Sequence, residues 1–76
     1  MKYIVLEIQK NPGGAVGTLV SAYDTRNEAE SHFHTVLAAA ALSSLPRHAA
    51  VLVTEEGFLL TQGCYQHEAG EAEETA

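Results

Sequence analysis

The spacing of apolar residues changes twice along the chain, from alternation to helical spacing and back, and this change constrains the fold most. Residues 2–9 (KYIVLEIQ) are rich in β-branched and apolar side chains, which predicts a first strand. Residues 11–14 (NPGG) predict a hairpin loop, because proline presets the backbone of a turn and the next glycine accepts the positive φ of a type II turn. A second strand is predicted at Val16–Tyr23.

One stretch has the spacing of an amphipathic helix. Thr25 followed by Glu28 matches a capping box, in which the hydroxyl accepts from an early helix N–H and the carboxylate reaches back. Pro46 excludes helical geometry from the residue before it, so the helix is expected to end near Ser43 or Ser44. The apolar residues that recur at helical spacing form one stripe: Ala29, Phe33, Val36, Leu37 and Ala40.

Two further strands are predicted after the helix, at residues 48–54 and 58–65, joined by a turn in which Gly57 takes a positive φ. Gly63 is interpreted as a β-bulge in the last strand. Two hairpins flanking one helix predict an α+β fold, a ββαββ two-layer sandwich with a four-stranded antiparallel sheet of order 2-1-3-4 and the helix on one face. Residues 1–66 form the predicted domain, and residues 67–76 are expected to be a disordered acidic tail.

The face of the sheet that the single helix leaves uncovered is the predicted functional surface. If Ile4, Leu6 and Ile8 face the helix, Tyr3 and Val5 face away from it. An apolar face with tyrosines predicts self-association or the binding of a protein partner. The other interpretation, an ordinary open face with scattered amphipathic residues, stays open at this point. The predicted interaction face comprises Tyr3, Val5, Leu19, Tyr23, Leu59 and Tyr65.

The net charge and the cysteine content limit the expected partners and the expected cellular compartment. The formal net charge is −6, but four of the ten acidic residues lie in the last nine positions. Only four lysines and arginines are present, so a nucleic-acid partner is not expected. Cys64 is the only cysteine, which excludes an internal disulfide and is typical of a reducing compartment, so we expect a cytoplasmic protein. Residues 1–9 predict neither a signal peptide nor a membrane span.

No catalytic, cofactor or metal site is predicted. His32 and His34 point about 200° apart on a helix, so they do not share a metal ion. Cys64 and His67 supply only two ligands at a strand end, and a small buried thiol is the expected role of Cys64. We therefore expect a protein that is not an enzyme and that holds no cofactor and no metal.

Longer stretches of the sequence carry a resemblance, namely KYIVLEIQ, GTLVSAYDTRNEAESHFHTVLAAAALSSLP, HAAVLVTEEG and CYQHE before the acidic end. These stretches reach to about residue 68. Together they resemble a group of small uncharacterised proteins of prophages and mobile elements in gut Gram-positive bacteria. The resemblance implies a phage or mobile-element context and supplies no catalytic residues.

Two classes of function agree with these observations. The first is a non-catalytic interaction or structural module that forms a homo-oligomer, or binds a phage protein, through the open sheet face or a sheet edge. The second is a phage-encoded inhibitor of a host defence system that mimics nucleic acid or sequesters a nucleotide. The second class predicts acids clustered on the folded body, and only six acids precede residue 67, which favours the first class.

Overall fold

The computed structural model describes residues 1–67, which form four β-strands and one α-helix. The strands make one antiparallel sheet in the order β2-β1-β3-β4. The predicted ββαββ fold and its strand order are therefore confirmed. In chain order the elements are β1 (Tyr3–Lys10), β2 (Val16–Tyr23), α1 (Arg26–Ala41), β3 (Arg47–Thr54) and β4 (Leu59–Gln66).

The predicted tail, residues 67–76, lies outside the described residues except for His67. The backbone N–H of His67 donates to the carbonyl oxygen of Pro46 at 2.8 Å. Its ring Nε2 lies 2.8 Å from the carbonyl oxygen of Ala40, near the end of α1. These two contacts attach His67 to the folded domain.

Helix α1 begins at the predicted capping residue. Thr25 has an extended backbone, and its side-chain oxygen accepts a hydrogen bond from the Glu28 N–H at 3.2 Å. The Thr25 hydroxyl in turn lies 3.2 Å from the Glu28 carboxylate, so the carboxylate contacts the capping side chain. The helix ends at Ala41, slightly earlier than predicted, and the Leu42 N–H donates to the Ala39 carbonyl oxygen there.

The core lies between α1 and the face of β1 and β3 beneath it. The predicted helix stripe is confirmed, since four of its members are buried and Leu37 is partly buried against the same cluster. Alanines at several of these positions let the helix backbone approach the sheet closely, and the larger side chains fill the space between them. The buried apolar residues are Val5, Ala29, Phe33, Val36, Ala40, Ala50 and Leu52.

The predicted assignment of the two sheet faces is wrong for β1. Val5 is only 1% exposed and belongs to the core under α1, and Tyr3 and Tyr23 pack against that core. The covered face of β1 also carries Glu7 and Gln9, so the more apolar face of the strand is the uncovered one, and alternation indicated the wrong side. The side chains that point away from the helix are Ile4, Leu6 and Ile8.

The first hairpin differs in detail from the predicted type II turn. The left-handed residue is Gly14, with φ of 99°, and Gly13 is not in that region. The Gly14 N–H donates to the Asn11 carbonyl oxygen at 2.8 Å, which closes a turn over residues 11–14. Strand β2 begins two residues later, at Val16. A type I turn followed by a left-handed glycine is a common three-residue hairpin connection. The positive φ predicted at Gly57 is confirmed, at 92°.

The irregularity in β4 is also displaced from its predicted position. Gly63 pairs regularly with Ala50, and the shift in register lies between Leu52 and Val53 on the neighbouring strand. The presence of glycine at position 63 has a different explanation. A Cβ atom there would lie 2.9 Å from Cδ1 of Leu37, so glycine lets the helix side chain pack onto β4.

Because Leu52 lies on the covered face and Leu6 on the uncovered face, replacing each leucine with alanine should lower the free energy of unfolding by different amounts. Leu52→Ala removes a fully buried side chain and should lower the free energy of unfolding by about 2–5 kcal/mol. Leu6→Ala, on the uncovered face of the adjacent strand, should cost less than half as much. Urea unfolding at low protein concentration measures both losses. Equal losses of unfolding free energy in the two variants would contradict this assignment of the two faces.

Candidate functional site

The uncovered side of the sheet, called the open face below, is the candidate site. Strand alternation and the pairing register place four residues of each strand on it. Most of them are aliphatic, in a position where an ordinary open antiparallel sheet carries polar side chains. The open face consists of Ile4, Leu6, Ile8, Lys10, Val16, Thr18, Val20, Ala22, Arg47, Ala49, Val51, Val53, Leu59, Gln62, Cys64 and Gln66.

The aliphatic side chains of the open face are accessible to solvent within the described chain. On the outer strands Val20 is 64% exposed, Val16 60% and Leu59 54%. On the central strands Leu6 and Val51, which pair directly across β1 and β3, are partly exposed. Contiguous apolar surface of this kind is uncommon on soluble monomers and usually marks an interface.

The open face has a hollow between β3 and β4. A depression of about 300 Å³ is lined there by Ala49, Val51, Gln62 and Cys64, with strand backbone as its floor. It exists because Ala49 and Cys64 are shorter than their aliphatic neighbours. The expected burial of the Cys64 thiol is wrong: the side chain is exposed, on this face.

Charged side chains lie at both ends of the open face. At one end Lys10 and Arg47 are paired neighbours on the central strands. At the other end Lys2 forms an ion pair with Asp24, and the Lys2 backbone N–H donates to the Glu55 carboxylate. Among the described residues that end therefore holds two carboxylates and one ammonium group, and it is called the acidic end below.

The ion pair at the acidic end shifts both of its pKa values. The hydrogen bond to Asp24 and the charge of Asp24 raise the pKa of Lys2 above its ordinary value. The same contact lowers the pKa of Asp24. Both side chains are exposed, so the ion pair contributes little to stability.

The six predicted interface residues do not share one face. Leu59 alone lies on the open face, while Val5 is buried and Tyr3 and Tyr23 pack against the core. The two others are exposed on outer strands but belong to the helix side, because they pair with Glu7 and His48. These two residues are Leu19 and Tyr65. That the open face is an interface stays a prediction, and its members differ from those predicted.

A buried polar pair beneath the helix was not predicted. Nε2 of His48 lies 2.5 Å from Oε2 of Glu7, and the Gln9 side-chain amide donates to the same oxygen at 2.9 Å. His48 is buried, and the Glu7 side chain is 17% exposed. Glu7 shares its face with Val5, and Gln9 lies directly opposite His48. The strand order with the correct face would have shown this pair from the sequence.

The surroundings of Glu7 favour its ionised form. Burial by itself raises the pKa of the Glu7 carboxyl group, but the hydrogen bonds from His48 and Gln9 lower it, and so do the charges of His48 and His32. Together these contributions hold the pKa of Glu7 below its usual value of 4.5. The pair is a structural element of the core side, and nothing on the open face contacts it.

The depressed pKa of Glu7 predicts how stability changes with acid. Ionised Glu7 contributes stability above the unfolded-state pKa of 4.5, and this contribution is lost as the pH falls through the lower folded-state value. Glu7→Gln keeps an acceptor for His48 but has no titrating group. We expect the variant to be less stable at neutral pH and to lose less stability than the wild type on acidification.

Urea unfolding between about pH 6 and pH 3 measures this difference. Glu56→Gln, in the exposed turn between β3 and β4, is the control and should retain the wild-type pH dependence. A gap between wild type and Glu7→Gln that stays constant over this range would contradict the assignment.

The histidines lie in separate environments. The rings of His32 and Tyr23 are 5.6 Å apart, those of His34 and Phe33 are 5.4 Å apart, and His67 stacks on Tyr65 at 6.3 Å. Over residues 1–67, no three histidine, cysteine or acidic side chains are grouped so that they could hold a metal ion. In the same residues no helix is long and apolar enough to cross a membrane.

Comparison with protein-family models, with curated proteins and with solved structures finds no match to this chain.

Proposed function

We propose that the chain is a non-catalytic protein-interaction or structural module that self-associates through its open face. The observation that carries the proposal is the row of aliphatic side chains on a sheet face that no other part of the described chain covers. Removing this surface from water is favourable in proportion to its apolar area. A second sheet of the same kind is the simplest cover, since two open faces pack about 10 Å apart in β-sandwiches.

The size of the open face supports a second copy as the occupant. Eight-residue strands at about 3.4 Å per residue, four of them at about 4.8 Å spacing, give a flat area of roughly 500 Å². Two copies therefore bury about 1,000 Å² before interlocking side chains are added, and specific interfaces begin near this size.

The distribution of acids favours this proposal over mimicry of nucleic acid by a defence inhibitor. Glu7 lies beneath the helix and contacts His48, and Glu30 forms an ion pair with Arg26 on the helix at 2.6 Å. Asp24 pairs with Lys2 at the sheet end. Three of the six acids before residue 67 thus have basic side-chain partners, and these acids are spread over three parts of the domain. A phage or mobile-element origin remains a prediction that rests on the resemblance alone.

A single substitution at the centre of the open face should abolish self-association. Leu6→Lys places an ammonium group where the two faces meet and should weaken dimerisation by at least about 2 kcal/mol, or roughly 30-fold in Kd. Sedimentation equilibrium should give the wild type a mass of twice 8.1 kDa at high concentration and the variant the mass of one chain. Circular dichroism should show that the variant remains folded.

Leu42→Lys is the matched control, because Leu42 is 90% exposed at the end of α1, in the other layer. It should dimerise as the wild type does. Val20→Lys, on the exposed outer strand, replaces the central variant if Leu6→Lys does not fold. A wild-type chain that stays monomeric at high concentration contradicts the proposal, as does a dimer that survives both substitutions on the open face.

A further inference from the structure

We infer that strand β2 is a second self-association surface, where the chain pairs edge to edge with β2 of another copy about a twofold axis at Leu19. This inference rests on the proposed self-association through the open face, because that contact supplies most of the affinity. Three features of β2 support it, namely the direction of its backbone groups, its composition and the exposure of Leu19.

The first hairpin shows which backbone groups of β2 are free. The Asn11 N–H donates to the Ala15 carbonyl oxygen at 2.8 Å, so the backbone groups of Ala15 point toward β1. The backbone groups of successive residues in an antiparallel ladder point to alternate sides of the strand, so the odd-numbered residues of β2 bond to β1. The N–H and C=O groups that point outward, where no strand pairs in the described chain, belong to Val16, Thr18, Val20 and Ala22.

The composition of β2 leaves this edge open to pairing. Val16–Tyr23 has eight residues with no charged side chain and no proline, and it pairs with β1 without a register shift. Charged side chains, prolines and bulges are the means by which proteins protect sheet edges. In the ladder of β4, the other outer strand, a register shift lies between Leu52 and Val53. The long, regular and uncharged edge of β2 is the better template for another strand.

A second copy of β2 satisfies this edge completely. In an antiparallel pairing centred on Leu19, Thr18 lies opposite Val20 of the second copy, and Val16 lies opposite its Ala22. Every outward N–H and C=O group of one strand then meets a partner on the other. A pairing displaced by two residues would leave the outward groups of one residue on each strand unpaired.

Leu19 lies at the centre of this pairing. Its side chain is 57% exposed on the helix side of the sheet, outside the open face. In the pairing it lies opposite Leu19 of the second copy, at a position without mutual hydrogen bonds, where the Cα atoms of an antiparallel pair are about 4.5 Å apart. Contact between the two leucines buries apolar surface that neither the core nor the open face covers.

The edge of β2 and the open face act together. A twofold axis perpendicular to the sheet keeps both helices on one side, so the two open faces become one continuous apolar surface. The ladder alone exchanges hydrogen bonds to water for hydrogen bonds between chains, and single chains therefore do not pair stably through it. Two joined sheets packed face to face form a tetramer, in which each kind of contact raises the effective concentration for the other.

Leu19→Lys separates the two surfaces. It places two ammonium groups opposite each other at the centre of the pairing and leaves the open face unchanged. Above the concentrations that complete the face-to-face dimer, the wild-type mass should rise toward four times 8.1 kDa, and the mass of the variant should stop at two chains. Sedimentation equilibrium should give the variant a dimer-to-tetramer constant weaker by at least about tenfold and a dimerisation constant near the wild-type value.

Hydrogen exchange measures the backbone pairing itself. At high concentration the N–H groups of Thr18 and Val20 should exchange at least about tenfold more slowly in the wild type than in Leu19→Lys. The N–H of Ser21, which bonds to β1, should be protected equally in both. Thr18→Pro removes an outward N–H and none that bonds to β1, so it replaces Leu19→Lys if that variant does not fold.

Leu42→Lys is again the matched control and should reach four chains, because Leu42 lies at the end of α1. If the wild type stops at two chains, or Leu19→Lys still forms four, the edge pairing is wrong and the open-face proposal stands. If Leu6→Lys still dimerises and adding Leu19→Lys dissociates that dimer, the open-face proposal is wrong and the edge pairing stands without it. If the wild type does not self-associate, both fail.

Discussion

The whole structure depends on the packing of one short helix against one face of the sheet. Helix α1 has sixteen residues and presents a narrow buried stripe in which Ala29 and Ala40 lie on either side of Phe33 and Val36. This stripe covers β1 and β3, the two central strands, and Leu37 reaches β4 where Gly63 leaves room for it. One helix covers only one side of the sheet. Within residues 1–67 the other face of the sheet is therefore exposed to solvent.

The two faces of β1 carry different kinds of side chain. The helix side carries Val5 in the core and Glu7 in a hydrogen-bonded pair with His48, so the polar residue is satisfied where it is buried. The open side carries an uninterrupted aliphatic run and ends in Lys10. The apolar surface on the side without a helix is what a second copy would cover.

Much of the fold was predictable from the sequence, and the part that was not has a physical cause. The change in apolar spacing, Thr25 at the start of the helix and Pro46 after its end were sufficient for five elements, and antiparallel pairing alone led to the strand order. The face assignment failed because the more apolar face of β1 is the uncovered one, while the covered face carries Glu7 and Gln9 beside His48. Alternation identifies two faces of a strand, and only the position of the helix shows which one is covered.

The candidate site was predictable as a surface and not as a set of residues. An uncovered apolar face follows from the count of elements, but tyrosine was given too much weight as a mark of interfaces. Tyr3 and Tyr23 instead border the core, which suits a ring with one apolar body and one polar tip. The charged neighbours at the strand ends become visible only when the register places Lys10 beside Arg47 and Lys2 beside Glu55.

The central claim, that the open face is covered by a second copy, is tested most directly through the one thiol of the chain. Cys64 lies on this face, is exposed in the single chain, and is the only cysteine, so it reports on the face without any substitution. The measurement is the rate at which Cys64 reacts with a thiol reagent over a wide range of protein concentration. The account predicts that the reaction slows as the concentration rises through the dimerisation constant. A rate that is the same for dilute and concentrated protein would contradict it.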